Sequence, residues 1–353
     1  MQIGWIQVLE FRNYRTLSWT PAARLNILNG PNAQGKTNLL EALAVLLTGR
    51  SFRTPRLAEM ARWGAAAASV AGELARADAR RTVRRTLTRL EDGAWHAEGD
   101  ACDWARAIAF GWQDLEIVNG APGTRRNFID GFAARLYPSH LATLQRYRQI
   151  VARRNRLLQT QDARPESAAR LAPWNEQLAA TGMELIGRRR RAAAALQTEL
   201  ARVYPALAGA SHKVEIRYRT ALGEASEPAA LLAALERARR EELRRGQTLV
   251  GPHRDDLTIE IDAVDARAFG SRGQQRLLAL ALRLAEVLPV TEAVGTAPIL
   301  ILDDALSELD PEVRGRVLGE IGGAEQVFLT SPEPLAVAGA AAFSITGGSI
   351  TAA

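Results

Sequence analysis

Eight residues constrain the fold of this chain more than any others. Gly30-Pro31-Asn32-Ala33-Gln34-Gly35-Lys36-Thr37 fits G-x-x-x-x-G-K-[ST], with an apolar run, Leu25 to Asn29, before it. Lys36 to Leu47 follows as a predicted helix with Leu39, Leu40, Leu43 and Leu47 on one face. Strand, glycine turn and helix in that order make a phosphate cradle. The glycines let backbone N–H groups close on phosphate oxygens, and the helix N-terminus adds its dipole. Lys36 is placed to reach β- and γ-phosphates, and the Thr37 hydroxyl to ligate Mg²⁺.

Composition sharpens the point. Of 45 basic residues only Lys36 and Lys213 are lysines, a bias toward arginine that reads as genomic. Lysine is kept where a compact ammonium must fit among phosphates. The net charge of +6 is a separate matter and favours an acidic partner such as nucleic acid. A single cysteine, Cys102, excludes an internal disulfide. The opening M-Q-I-G-W-I-Q-V lacks the form of a signal peptide, and the longest apolar run is broken by Arg283 and Glu286. The expectation is a cytoplasmic protein with no membrane partner.

A length of 353 residues suggests about two domains. Strands are expected at Ile3 to Glu10, Ser69 to Leu74, Thr82 to Leu90 and Trp95 to Ala97, the last two joined by an Asp92-Gly93 turn. From Ser139 to Gln161 the pattern turns helical, with Leu144, Val151 and Leu158 seven apart. A second helix is expected from Pro173 to Tyr204, stopped by Pro205, making an antiparallel arm, and a third from Pro228 to Arg245. After Gly246 the mixed character returns: a strand at Leu257 to Ile261, a helix at Gln274 to Leu288, and a buried strand at Pro298 to Leu302. Asp310-Pro311 caps a helix ending at Gly322, a strand follows at Gln326 to Thr330, and Gly347-Gly348 turns a last hairpin. The architecture implied is an α/β domain of residues 1–115 with 246–353, interrupted by a mainly helical lobe, 116–245.

A nucleoside-triphosphatase needs an acidic partner for its metal at the end of a buried strand. Ile299-Leu300-Ile301-Leu302-Asp303-Asp304 supplies it, with Asp303 as the Mg²⁺ ligand and Asp304 to orient or deprotonate the attacking water.

Several stretches together resemble the RecF family, whose ATPase head is like those of the SMC and ABC superfamily. They are L-E-F-R-N-Y-R, the phosphate loop with N-L-L-E-A, G-R-S-F-R-T, N-G-A-P-G-T-R-R-N-F-I-D, G-P-H-R-D-D-L, S-R-G-Q-Q-R-L-L-A-L-A-L-R-L-A-E and I-L-I-L-D-D-A-L-S-E-L-D. The resemblance is collinear over almost the whole chain and weakest across 155–245. It implies a P-loop head that dimerises with ATP on duplex DNA beside single-stranded gaps, with RecR and RecO as partners in loading RecA. It also implies that Ser271, Gly273 and Gln274 of the signature complete a second subunit's site, that Asp310 reaches across the same interface, and that Gln113 lies near the Q-loop position. Ser271 can cap the helix that follows, and Gly273 allows close backbone approach.

Three features depart from the pattern. Gly111-Trp112-Gln113 replaces the frequent x-P-E, the switch histidine of many ABC heads is missing after Val327, and Asp304 stands where many relatives carry glutamate. The shorter carboxylate predicts slow hydrolysis. Arginines cluster at Arg146, Arg148, Arg153, Arg154 and Arg156, at Arg188 to Arg191, at Arg244 and Arg245, and at Arg125 and Arg126. Each cluster is either a solvated helix face or a set of phosphate contacts. A transporter-driving ABC subunit and a metabolic P-loop kinase share the loop. The F-R-N-Y opening, the long insertion and the absent histidine count against the first, and the signature against the second.

Overall fold

The first strand shows how local irregularity sets a face. Ile3, Ile6 and Val8 are all buried in β1 (Gln2–Phe11), although Ile3 and Ile6 are three apart. A register shift between Ile3 and Trp5 in the pairing with the strand Ala67–Arg76 restores the common face. The computed structural model describes residues 1–160 and 165–353. The chain continues through β2 (Tyr14–Trp19), β3 (Leu25–Asn29), α1 (Lys36–Thr48), β4 (Ala67–Arg76), β5 (Ala79–Arg89), β6 (Trp95–Gly99) and β7 (Ala107–Phe110). Then come α2 (Leu115–Asn119), α3 (Pro122–Leu136), α4 (His140–Thr160), α5 (Pro165–Ala208), β8 (Val214–Arg219) and α6 (Pro228–Arg245). They are followed by β9 (Asp256–Ile261), β10 (Val264–Asp265), α7 (Ala266–Phe269), α8 (Arg272–Leu284) and α9 (Val287–Val294). Last are β11 (Ile299–Leu302), α10 (Pro311–Ile321), β12 (Val327–Ser331), β13 (Ala341–Thr346) and β14 (Ser349–Ala352).

The chain divides into two units. The first holds 1–115, 203–211 and 272–353; the second holds 116–202 and 212–271. The return therefore falls after Ser271 and not at Gly246. The reason is strand pairing: β9 forms an antiparallel ladder with β8 from Val214↔Ile261 to Arg219↔Asp256, which keeps 256–261 with the second unit. Val214, Ile216 and Tyr218 alternate with Glu215, Arg217 and Arg219, which is the local signal of β8; its pairing with β9 is what the spacing leaves open.

In the first unit a five-stranded antiparallel sheet, β2-β1-β4-β5-β6, and a six-stranded sheet, β14-β13-β3-β12-β11-β7, enclose α1. The second sheet is parallel except for the β13–β14 hairpin. Its central strands are buried on both faces, as their unbroken apolar runs require. Leu39, Leu40, Leu43, Leu46 and Leu47 of α1 are all buried in one core with Ile3, Val70, Ile301 and Phe328. That double-sided packing leaves α1 no free rotation, so the loop at its N-terminus is held in place.

The second unit packs α4, α5 and α6 around Leu144, Ile150, Leu178, Leu185, Ile186, Leu231 and Leu235. Contacts of Thr143 with Arg188 and of Arg154 with Asn175 show that α4 and α5 run antiparallel. Gln161, the expected end of the first arm helix, lies outside the described residues. Neither Pro173 nor Pro205 bounds α5. A proline inside a helix removes one hydrogen bond at about 3 kcal/mol. The buried seven-residue stripe Leu171, Leu178, Leu185 and Ala192, continued by Leu196 and Leu200, outweighs it.

Candidate nucleotide site

The P-loop connects β3 to α1, and two glycines are obligatory there. Gly30 has φ +146°, and a Cβ would lie 2.4 Å from the Ile345 carbonyl oxygen. Gly35 has φ +112°, and a Cβ would meet Asn13 Nδ2 at 2.6 Å and the Tyr14 hydroxyl at 2.9 Å. No side chain fits either position. The Tyr14 hydroxyl donates to the Gly35 carbonyl at 2.9 Å, and burial pushes its pKa up, so it stays a donor. From the other end of the chain, the Gly347 N–H donates to Gln34 Oε1 at 2.8 Å. Gln34 thus faces the last hairpin and braces the loop.

Lys36 Nζ donates to the Gly30 and Pro31 carbonyls of its own loop. Burial lowers its pKa, and the charges of Asp303 and Asp304 oppose that shift. Phosphate oxygens are stronger partners than those carbonyls, so Lys36 is positioned to exchange one set for the other.

Across the pocket, the Thr37 hydroxyl donates to Asp303 Oδ1 at 2.9 Å, and so does the Thr330 hydroxyl, also at 2.9 Å. Thr330 Oγ1 in turn accepts the Asp304 N–H at 2.8 Å. β3, β12, β11 and β7 lie side by side and parallel, which sets the P-loop, Thr330, both aspartates and the turn after β7 at one edge of the sheet. Burial raises the Asp303 carboxyl above its ordinary range, with the Asp304 charge adding to the shift and the two threonine hydroxyls opposing it.

That direction carries a prediction. A carboxyl whose folded pKa is raised binds its proton more tightly when folded, so its contribution to stability falls as pH rises through that pKa. Ionised Asp303 is therefore a cost to the apo protein at neutral pH. Asp303→Asn keeps an acceptor for both threonines and is expected to raise the apo melting midpoint by about 2 °C at pH 7. The gain should shrink as pH falls through the raised pKa and be gone below about pH 4. Differential scanning calorimetry at both pH values checks it.

The cavity has a volume of about 350 Å³ and is lined by Asn32, Ala33, Gly35, Lys36, Thr37, Asp303 and Asp304. Gly30 and Pro31 serve through the carbonyls that hold Lys36. Arg53, Trp112, Arg276 and Thr330 also line it, and these four were missed in the sequence. Arg53 was within reach: it belongs to the quoted G-R-S-F-R-T. Fully buried Glu41 of the phosphate-loop motif binds Arg12 of F-R-N-Y through two 2.7 Å bonds, Ser51 at 2.5 Å and Arg53 at 3.2 Å. One carboxylate thus ties three motifs together and aims Arg53 at the pocket. Arg276 Nη2 donates to the Asp304 carbonyl at 2.6 Å. Asp304 holds φ +53°, a left-handed conformation clamped by Thr330 on one side and Arg276 on the other. Burial raises its pKa, and the Arg276 charge opposes the shift.

The remaining sequence candidates stand apart from this lining. Gln113 lies in the turn after β7, whose Phe110 pairs with Leu302 next to Asp303; its neighbour Trp112, 67% exposed, is the side chain that reaches the pocket. Gly273 and Gln274 lie in the first turn of α8 with Ser271 just before it, and a Cβ on Gly273 would meet nothing within 4 Å. Asp310 is the N-cap of α10, accepting from the Val313 N–H at 2.9 Å.

The family of RecF/RecN/SMC N-terminal domains matches residues 2–344. A DNA replication and repair protein RecF from Heliobacterium modesticaldum is 35% identical over 359 residues, covering 96% of each chain. One from Moorella thermoacetica is 37% identical over 340 residues, covering 93% of this chain and 89% of its own. This chain belongs to the RecF family. The fold agrees. A structure of the recombination mediator RecF with ATP superposes with TM-score 0.87 at 28% identity, covering 99% of this chain and 97% of the other. The Smc head domain with an extended coiled coil from Pyrococcus furiosus gives 0.55 at 16% identity, covering 99% and 95%. The α/β architecture is thus an ABC/SMC-like ATPase head carrying an inserted lobe. Among the described residues no helix is long and apolar enough to cross a membrane.

Proposed function

We propose that this RecF-family chain is an ATP-dependent DNA-binding protein whose slow ATP hydrolysis releases a DNA-bound dimer. The observation that carries the reading is the meeting of Lys36, Thr37, Asp303 and Asp304 in one cavity, in a chain related to RecF structures that contain ATP. Thr37 and Asp303 fit Mg²⁺: their oxygens are hard donors 2.9 Å apart, and a buried carboxylate with a raised pKa gains from a cation. Among the described residues no group of three or more His, Cys, Asp or Glu could hold a metal ion, so the substrate phosphates would have to supply further ligands. Bound there, Mg²⁺ supplies charge neutralisation between the phosphates.

Each residue then has a distinct task. Lys36 leaves the loop carbonyls and neutralises the β- and γ-phosphates. Asp304, its backbone clamped, orients the attacking water and takes its proton, with Gln113 close to the same edge. Ser271, Gly273 and Gln274 close the site of a second copy, and Asp310 reaches toward it. ATP acts between two heads, and hydrolysis separates them. On DNA, the protein acts in the cytoplasm with RecR and RecO at single-strand gaps and helps load RecA during repair.

Sedimentation with duplex DNA, with and without ATP, tests this. Wild type should dimerise only with ATP. Lys36→Ala should lose nucleotide and dimer together, and Ser271→Arg should keep nucleotide affinity but lose the dimer. An ATP-dependent dimer of normal stability in Ser271→Arg would remove the signature from the interface. Turnover as fast as a metabolic kinase's would contradict the slow hydrolysis expected of the short Asp304 carboxylate.

A further inference from the structure

Two family-like stretches, Asn119–Asp130 and Gly251–Leu257, have no part in the chemistry above, yet they meet in the second unit. Arg125 grips both Asp256 oxygens at 2.8 and 2.7 Å, and Arg126 Nη1 donates to the Asp255 carbonyl at 2.8 Å. Arg189 grips both Asp130 oxygens at 2.7 Å and donates to the Pro252 carbonyl at 2.6 Å. His253 Nε2 faces the Thr248 carbonyl at 3.1 Å, an atom that only accepts. Its proton therefore sits on Nε2, and the Tyr147 hydroxyl donates to Nδ1 at 2.7 Å. Burial and nearby arginines push the His253 pKa down to about 4, so the ring is neutral.

This frame encloses a cavity of about 240 Å³ lined by Arg126, Asn127, Tyr147, Arg148 and His253, with the Arg189–Asp130 pair in its wall. Asp130 is neutralised by Arg189. Arg126 and Arg148 have no ion-pair partner among the described residues; Arg126 meets the charge of Asp255, whose carboxyl takes the Tyr218 hydroxyl at 2.5 Å, and Arg148 is exposed. Two guanidinium forks at one small cavity without an ion-pair partner offer donors that an anion would satisfy. The geometry points to this cavity as a phosphate-binding site built by Arg126 and Arg148. Planar guanidinium forks match phosphate oxygens, Asn127 adds an amide donor, and the volume admits a phosphate group better than a whole nucleotide. Resting on the DNA reading above, the inference takes a DNA backbone phosphate as the source; free phosphate shares the chemistry.

The test measures affinity for a duplex oligonucleotide against salt, by fluorescence anisotropy with a non-hydrolysable ATP analogue. In the double variant Arg126→Gln/Arg148→Gln, the slope of log K on log salt should fall by about 0.9, the value for one lost phosphate contact, with dimerisation unchanged. Arg148→Gln alone, which removes no contact within the protein, should lose part of that. Arg244→Gln, whose guanidinium is paired with Glu241, should change nothing. In a second arm, inorganic phosphate should raise the melting midpoint of wild type but not of the double variant. If the slope stays and this thermal shift is present, the source is free phosphate. An unchanged slope together with no phosphate effect overturns the site. Absence of salt-dependent DNA binding in wild type would instead strike the DNA reading, leaving the phosphate arm to decide the cavity.

Discussion

Asp304→Asn is expected to lower the ATP hydrolysis rate by about 10²- to 10⁴-fold, the range a positioned general base supplies, while the ATP-dependent dimer persists. The clamps on Asp304 make the effect chemical. Its N–H is held by Thr330 and its carbonyl by Arg276, and asparagine tolerates the same left-handed backbone. The substitution therefore removes a proton acceptor and leaves the pocket's shape. Single-turnover hydrolysis and sedimentation on one sample separate the possibilities. If turnover and dimer fall together, Asp304 is structural and another group activates the water.

Arg154→Ala should destabilise the second unit by about 3–5 kcal/mol, the range for breaking a buried ion pair. Arg154 is fully buried and gives Nη2 to Glu242 at 2.6 Å, Nη1 to Thr248 at 2.9 Å and Nε to Asn175 at 2.8 Å. Alanine leaves Glu242 buried without its counter-charge. Denaturant unfolding should show the loss, and Arg154→Met/Glu242→Leu should recover most of it by removing both charges. A single variant with wild-type stability would mean that water enters and solvates Glu242.

Arg154 also shows where sequence reading stopped. In the chain it stands among four other arginines of one helix, each a possible phosphate contact. The fold divides them: Arg146, Arg148, Arg153 and Arg156 are exposed, while Arg154 is core. The same sorting removes Arg125 and Arg189, buried against Asp256 and Asp130. Arginine spacing records helix face only if the packed face is known, and the packing partners lie 88, 131 and 59 residues away.

The nucleotide site was more legible because its chemistry is local. A strand, two glycines at positive φ, a lysine and a threonine are consecutive, and each is fixed by the phosphate geometry it must make. The paired aspartates were readable as the end of an apolar run. Thr330 was not, since a hydroxyl at a strand end has no signature of its own; Arg276 lies in the quoted S-R-G-Q-Q-R stretch, but only the fold brings it onto the Asp304 carbonyl.

By itself, then, the sequence determined the P-loop, the aspartate pair, the α/β class and the family, because these depend on residue types at short or collinear spacings. Only the tertiary structure decided that the second unit keeps β9, that α5 runs through two prolines, that Glu41 aims Arg53, and which arginines are core. Those outcomes depend on strand pairing and burial between residues far apart in the chain, and no local pattern encodes which distant partner will neutralise a charge.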